Sequence, residues 1–253
     1  NAAATAASYA EAGTSAISVL TEHHWFKGAL ADVQAAARAV DAYAAAHDTP
    51  RVAILRKDFL LAPEEVDVAY RCGADAVLLI ARILDTRAML AMVARCASLG
   101  MTAFVELREQ DDLAKLRAVV QEAGSAHIVC GVNARDLADF SIDLLMPAGL
   151  LADIRAIMGN GARVIFESGI RTPEAARFAG SLGFTGMLLG EAAARNPADA
   201  AALVSAFVSA KETPAARFWL RHAARVHEKA LHAKRVHARD LSAQLPFLKP
   251  IIP

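Results

Sequence analysis

Seven short apolar runs, each followed by a segment of helical spacing, predict an α/β fold of repeated β-then-α units. Two further observations favour a (β/α)8 barrel, a TIM barrel with seven strands visible, over a doubly wound sheet. No Gly-rich dinucleotide turn follows any run, and polar residues gather at the C-terminal ends of most runs. Residues 1–12, "NAAATAASYAEA", read as a helix, so the absent strand is expected to be the first of the barrel, upstream of Asn1.

In order, the runs are "AISVLT" 16–21, "VAILRK" 52–57, "DAVLLIA" 75–81, "MTAFVE" 101–106, "HIVCGVN" 127–133, "RVIFES" 163–168 and "GMLLG" 186–190. Their apolarity is continuous and not alternating, which indicates strands buried on both faces, as in parallel sheets. Strand starts recur every 23 to 36 residues, the length of one βα unit. Between them, "LADVQAAARAVDAYAAA" 30–46, "PEEVDVAYRCG" 63–73 and "TPEAARFAGSLG" 172–183 carry helical spacing. Pro63 and Pro173 suit the first helical position, and Thr172 suits an N-cap. Gly13, Gly73, Gly100, Gly124 and Gly183 each precede a strand, where a left-handed residue would stop the previous helix.

With 253 residues, 55% of them hydrophobic, the chain can bury a full core and is not a disordered sequence. No apolar run approaches the ~18 to 20 residues of a spanning helix, so a soluble protein is expected. Cys72, Cys96 and Cys130 form no CxxC pair and read as small buried residues of a reducing compartment. The first ten residues have neither a charged region nor an apolar stretch of a signal peptide. A cytoplasmic or organellar location (mitochondrion or plastid) is expected, and secretion is not.

The zero net charge conceals an asymmetry. Residues 211–253 hold nine Lys and Arg against three acids, a net +6, which leaves residues 1–210 at −6. Two regions are therefore expected: a barrel over 1–210 and a basic helical C-terminal extension over 211–253. A long helix is predicted after Pro214, with Arg217, Arg221, Arg225 and Lys229 in a stripe at every fourth position. His222, His227, His232 and His237 recur every fifth residue, scatter around the helix and are not expected to bind metal. The apolar, Pro-rich end "LPFLKPIIP" 245–253 points toward a protein partner or larger assembly. Only Phe218 and Trp219 could stack on bases, so no nucleic-acid role is expected.

At or just past the strand ends lie Thr21, Glu22, Lys57, Asp58, Arg82, Glu106, Asn133, Arg135, Glu167, Ser168, Gly169, Gly190 and Glu191. In a barrel these groups converge on one mouth, where barrel enzymes carry their chemistry. A lysine among carboxylates suits acid–base work on an anionic substrate, with Glu106 near Lys57 tuning its proton affinity. It could also stabilise an oxyanion or form a Schiff base. Asn133 and Arg135 supply donors for hydroxyl, carboxylate or carbonyl groups. "ESGI" 167–170 and "LLGEA" 188–192 end the last two strands, and small residues there let backbone N–H groups approach a phosphate.

These residues fall within a longer set of matches. "SVLTEHHWFKG" 18–28, "ILRKDFLLAPEEV" 54–66, "GADAVLLIARIL" 73–84, "FVELRE" 104–109, "GVNARDLADFSIDL" 131–144, "FESGIRTPE" 166–174 and "LLGEAAARNP" 189–197 together resemble indole-3-glycerol phosphate synthase of tryptophan biosynthesis. The resemblance runs in order over about residues 5–208. It implies a lyase that closes the indole ring of 1-(2-carboxyphenylamino)-1-deoxyribulose 5-phosphate, releasing carbon dioxide and water without metal or organic cofactor. It further implies Lys57 as general acid on the ribulose carbonyl, with Glu106, Asn133 and Ser168 as catalytic companions. Asp58, Phe59, Arg135, Glu167, Gly169, Gly190 and Glu191 are implied in substrate binding, the last three bordering the phosphate through backbone donors. Asp58 would help position Lys57, and Phe59 and Leu79 would wall the anthranilate pocket.

One departure stands out. The family's first strand carries a Glu-x-Lys pair followed by a Ser-Pro-Ser-Lys loop, and neither occurs in residues 1–253. The second expectation is therefore a catalytically inactive barrel of the same family serving as a structural subunit. A different phosphate-binding barrel enzyme is disfavoured by the Lys57-Asp58 and Asn133-x-Arg135 placements.

Overall fold

The computed structural model of the protein describes residues 1–136 and 140–211. Its seven strands are β1 (Ala16–Leu20), β2 (Ala53–Lys57), β3 (Ala76–Ile80), β4 (Thr102–Leu107), β5 (Ile128–Asn133), β6 (Val164–Glu167) and β7 (Gly186–Leu188). Every neighbouring pair is parallel, and spatial order follows chain order from β1 to β7. The result is an α/β barrel-like fold with one strand fewer than eight, and each strand falls within or close to its predicted run.

Helix α1 (Ala2–Glu11) precedes β1 and packs on α2 (Leu30–His47). The crossovers continue as α3 (Glu64–Arg71), α4 (Thr86–Ser98), α5 (Gln110–Ala123), α6 (Met146–Met158) and α7 (Pro173–Ser181). After β7 come the short α8 (Glu191–Arg195) and α9 (Pro197–Lys211), which packs on α7. The stop signals act as expected. Gly13, Gly73, Gly100, Gly124 and Gly183 all have φ between 68° and 92°, a region that costs other residues strain. Thr172 caps α7 by accepting from the Ala175 N–H at 3.3 Å, with Pro173 at the first position. Pro63 stands one residue earlier than predicted, at the N-cap of α3.

Strand alternation sorts the side chains into two layers. Outward residues such as Ile54, Val77, Leu79, Val105, Val132 and Phe166 join the main core beneath the helices. Inward residues Leu55, Leu78, Ile80 and Phe104 form a separate small cluster inside the sheet, with Val129, Ile165 and Leu188 against it. This apolar plug closes the interior below the strand ends, so the inward polar residues above it face a mouth. At the open edge, the inward side of β1 is uncovered: Ser18 is exposed and Leu20 is 39% exposed.

The extension predicted over 211–253, with its basic stripe, histidines and Pro-rich end, lies outside the described residues from 212 onward. Helix α9 itself crosses the predicted boundary and runs to Lys211. Among the described residues, no helix is long and apolar enough to cross a membrane.

Candidate active site

Lys57 ends β2 on its inward face, two residues beyond Leu55 of the apolar plug. Its ammonium lies 3.2 Å from Glu106 Oε2 and 3.5 Å from Glu167 Oε2. Both carboxyls are inward residues at the ends of β4 and β6, and both are buried. From Glu106 the network continues to Asn133, whose Nδ2 donates to Glu106 Oε1 at 3.2 Å. Asn133 Oδ1 accepts from Ser168 Oγ at 2.8 Å and from the Arg135 N–H at 3.0 Å. Four strand ends thus supply one connected polar cluster. Parallel register makes this possible, because Ile80 pairs with Glu106 and Asn133 with Glu167 at the same level of the sheet.

The charges in this cluster shape one another. Burial pushes the Glu167 carboxyl up, to about 8, and the Glu106 charge pushes in the same direction; Lys57 offsets only part of this. For Lys57, burial acts to weaken the ammonium, but the attraction of Glu167 and Glu106 outweighs it, so the proton is held more tightly than usual. Glu167 Oε1 is buried with no hydrogen-bond partner. At neutral pH the arrangement favours a charged lysine beside a protonated Glu167.

Arg56 points the opposite way from Lys57 and is buried between the sheet and α3. Its guanidinium donates to Thr21 Oγ1 at 3.1 Å, to the Glu65 carbonyl at 3.1 Å and to Asp58 Oδ2 at 3.2 Å. Thr21 also donates to Asp58 Oδ2 at 2.5 Å. Asp58 therefore ties the ends of β1 and β2 together and makes no ion pair with Lys57, so any positioning it exerts passes through the backbone. Glu22 accepts from the N–H groups of His24, Trp25 and Phe26 at 2.6, 2.7 and 3.0 Å. This folds the loop after β1 and leaves Trp25 exposed at the mouth.

The remaining expected site residues are less tightly gathered. Arg135 borders a narrow cleft that also includes Ile80, Glu106, Arg108 and Asn133. Phe59 stands exposed in the loop after β2. Leu79 does not face the mouth; it is an outward residue in the core under the helices, and its inward neighbour Ile80 lines the cleft. Gly169 (φ 79°) sits under the loop after β5, where an added Cβ would lie 2.7 Å from Leu144 and 2.8 Å from Ile142. Gly190 caps α8, and Glu191 pairs with Arg171 at 2.6 Å and Arg195 at 2.7 Å.

Sequence reasoning left Arg108 out. It donates to the Asn133 carbonyl at 2.9 Å and to Asp136 Oδ2 at 3.1 Å, which braces the end of β5 against β4. Its signal was present as a second charge two residues past Glu106 in "FVELRE". Among the described residues, no group of three or more His, Cys, Asp or Glu side chains converges as a metal site.

Comparison with known proteins places this geometry in context. A family model described as indole-3-glycerol phosphate synthase matches residues 1–206. An indole-3-glycerol phosphate synthase of Parafrankia sp. (strain EAN1pec) is 38% identical over 216 residues, covering 85% of this chain and 72% of that protein. A multifunctional tryptophan biosynthesis protein of Phanerodontia chrysosporium is 36% identical over 216 residues, covering 85% of this chain and 25% of that protein. Three relatives described as indole-3-glycerol phosphate synthase are spanned by this chain over 65% to 72% of their length. Among solved structures, a 3-hexulose-6-phosphate synthase superposes with a TM-score of 0.56 at 17% identity, covering 83% of this chain and 92% of that one. That likeness concerns the fold alone.

Proposed function

The chain belongs to the indole-3-glycerol phosphate synthase family, and from that premise we propose that it closes the indole ring of 1-(2-carboxyphenylamino)-1-deoxyribulose 5-phosphate with loss of carbon dioxide and water. One observation carries this reading: a lysine ammonium held between two buried carboxyls, Glu106 and Glu167, at the open end of the sheet. Ring closure makes a carbon–carbon bond at the ribulose carbonyl and leaves negative charge on its oxygen. A charged lysine at the mouth stabilises that oxygen and delivers its proton. Glu106 holds the ammonium in place, and Asn133 holds Glu106. The anthranilate carboxylate, before it leaves as carbon dioxide, suits the Arg135 guanidinium at the cleft.

In this reading the phosphate lies by the loops after β6 and β7, near Ser168, Gly169, Gly190 and Glu191, through backbone N–H groups. Phe59 and Ile80 offer apolar surface for the anthranilate ring. The substrate is a phosphorylated small molecule, and the residues named suffice for acid–base chemistry without a metal. The test is the fluorescence of indoleglycerol phosphate formed from the carboxyphenylamino substrate. Wild-type turnover that Lys57→Ala removes supports the assignment; a fully active Lys57→Ala would sink it.

A second reading is a barrel of the same family without turnover that serves as a structural subunit. Among the described residues the sheet has seven strands, and the inward residues Ser18 and Leu20 of β1 are uncovered. A folded chain that shows no product formation with the authentic substrate would favour this second reading.

A further inference from the structure

We infer that Gly131 is a positioning residue for Glu167: the missing side chain at this inward position of β5 is the slot that lets the Glu167 carboxyl reach Lys57. Gly131 is an ordinary ladder residue, paired with Glu106 on one side and Ile165 on the other. It is not among the glycines with positive φ, so the backbone there accepts any residue. Glycine inside a strand weakens it and signals a close approach by another group. That group is visible. A Cβ at 131 would lie 2.1 Å from Glu167 Oε1, and 2.4 and 2.7 Å from the Phe104 ring carbons Cε1 and Cζ.

Glu167 Oε1 is buried without a hydrogen-bond partner, and the space left at Gly131 admits it on the side that faces β5. The Phe104 ring cannot easily yield, because it packs in the inner cluster with Leu55, Leu78 and Ile80. Glu167 is the group left to move, and a displaced carboxyl loses the 3.5 Å contact with Lys57. The charged groups facing Glu167 are Lys57 from β2 and Glu106 from β4.

The role of Glu167 in turnover rests on the function proposed above, but its placement is testable without substrate. In the full chain labelled with ¹³C at glutamate carboxyls, the Glu167 resonance is assigned by its loss in Glu167→Gln and titrated. Wild type is expected to titrate near 8, where burial and Glu106 hold it. In Gly131→Ala the midpoint should rise further, by about one pH unit, because the displaced carboxyl loses the Lys57 charge that offsets burial and Glu106. Phe104→Ala/Gly131→Ala removes the ring overlap and keeps the carboxyl overlap, so its midpoint should be raised as well, while that of Phe104→Ala alone should not be. An unchanged midpoint in either folded Gly131 variant would overturn the inference. In turnover, Gly131→Ala and Glu167→Gln should each lower kcat, and the double variant should be no slower than Glu167→Gln. Independent, multiplicative losses would mark Gly131 as merely structural. A wild type with no turnover counts against the proposed function and leaves the titration as the test of Gly131.

Discussion

Lys57 Nζ lies 3.5 Å from Glu167 Oε2, although the two residues rise from β2 and β6, four strand positions apart. In a flat sheet those strands would stand roughly 19 Å from each other, beyond the combined reach of a lysine and a glutamate. The contact exists because the sheet is rolled, and the rolling turns seven strand ends into one mouth. It also decides between the two architectures compatible with seven βα units, since a doubly wound sheet keeps such strands apart.

Removing the lysine should remove catalysis and little else. Lys57→Ala is expected to lower kcat for indoleglycerol phosphate formation by about 10² to 10⁴-fold, the usual worth of a positioned general acid. Circular dichroism should remain native, since the side chain is partly open to solvent at the mouth. Fluorescence-detected initial rates on the folded variant check this.

Glu167 should leave a signature in the pH dependence of stability. Its proton affinity is raised in the folded state, from 4.5 to about 8, so the folded chain binds more protons than the unfolded chain across that interval. Stability from this group is then fully present below about pH 4.5 and is lost as pH rises toward 8. Urea unfolding at a series of pH values should show a decline on the order of a few kcal/mol that is absent in Glu167→Gln. A wild-type curve parallel to that of the variant would contradict the buried, protonated carboxyl.

The outward-facing Arg56 should matter for folding more than for chemistry. Arg56→Met leaves Asp58 and Thr21 without their shared donor and strips the Glu65 carbonyl. A loss of about 3 kcal/mol is expected, the range for breaking one side of a buried ion pair. Arg56→Lys should recover little of it, because one ammonium cannot reproduce the planar fork that serves three acceptors. Denaturant midpoints of the two variants provide the measurement.

Cys96 and Cys130 should resist alkylation in the native chain. Burial pushes both thiols up to about 12, so almost no thiolate exists at pH 8 and no reagent reaches the sulfur. Mass spectrometry after iodoacetamide should find both unmodified until denaturant is added. Modification at either site under native conditions would contradict the packing around β5 and α4.

Much of the fold is legible in the sequence because its signals are local. The run "AILRK" is apolar on both faces until Arg56, and Thr172-Pro173 and Gly183 bracket α7 by chemistry that acts within a few residues. The candidate site is legible to the extent that strand ends share a level. Lys57, Glu106, Asn133 and Ser168 were expected together, and a chain of hydrogen bonds and an ion pair joins them. Glu167 was expected to hold or move protons and to bind substrate, and its contact with Lys57 depends on strands far apart in sequence. The outward turn of Asp58 toward Arg56 and the burial of Leu79 under the helices were missed for a related reason. Which face a side chain takes in a strand buried on both sides is not written in its apolarity.

What the sequence by itself determined is the succession of seven strands and their helices, the lysine and carboxyls at their ends, and the resemblance those residues carry. Apolar period, caps and stop residues act over one turn or one strand, so they survive without the rest of the molecule. Only the tertiary structure decided that Glu167 folds over Gly131 toward Lys57, that its proton is held, and that Arg56 and Asp58 brace the strand from outside. Those outcomes depend on register and curvature summed over the whole sheet, and curvature comes from packing against the helices, not from any one segment.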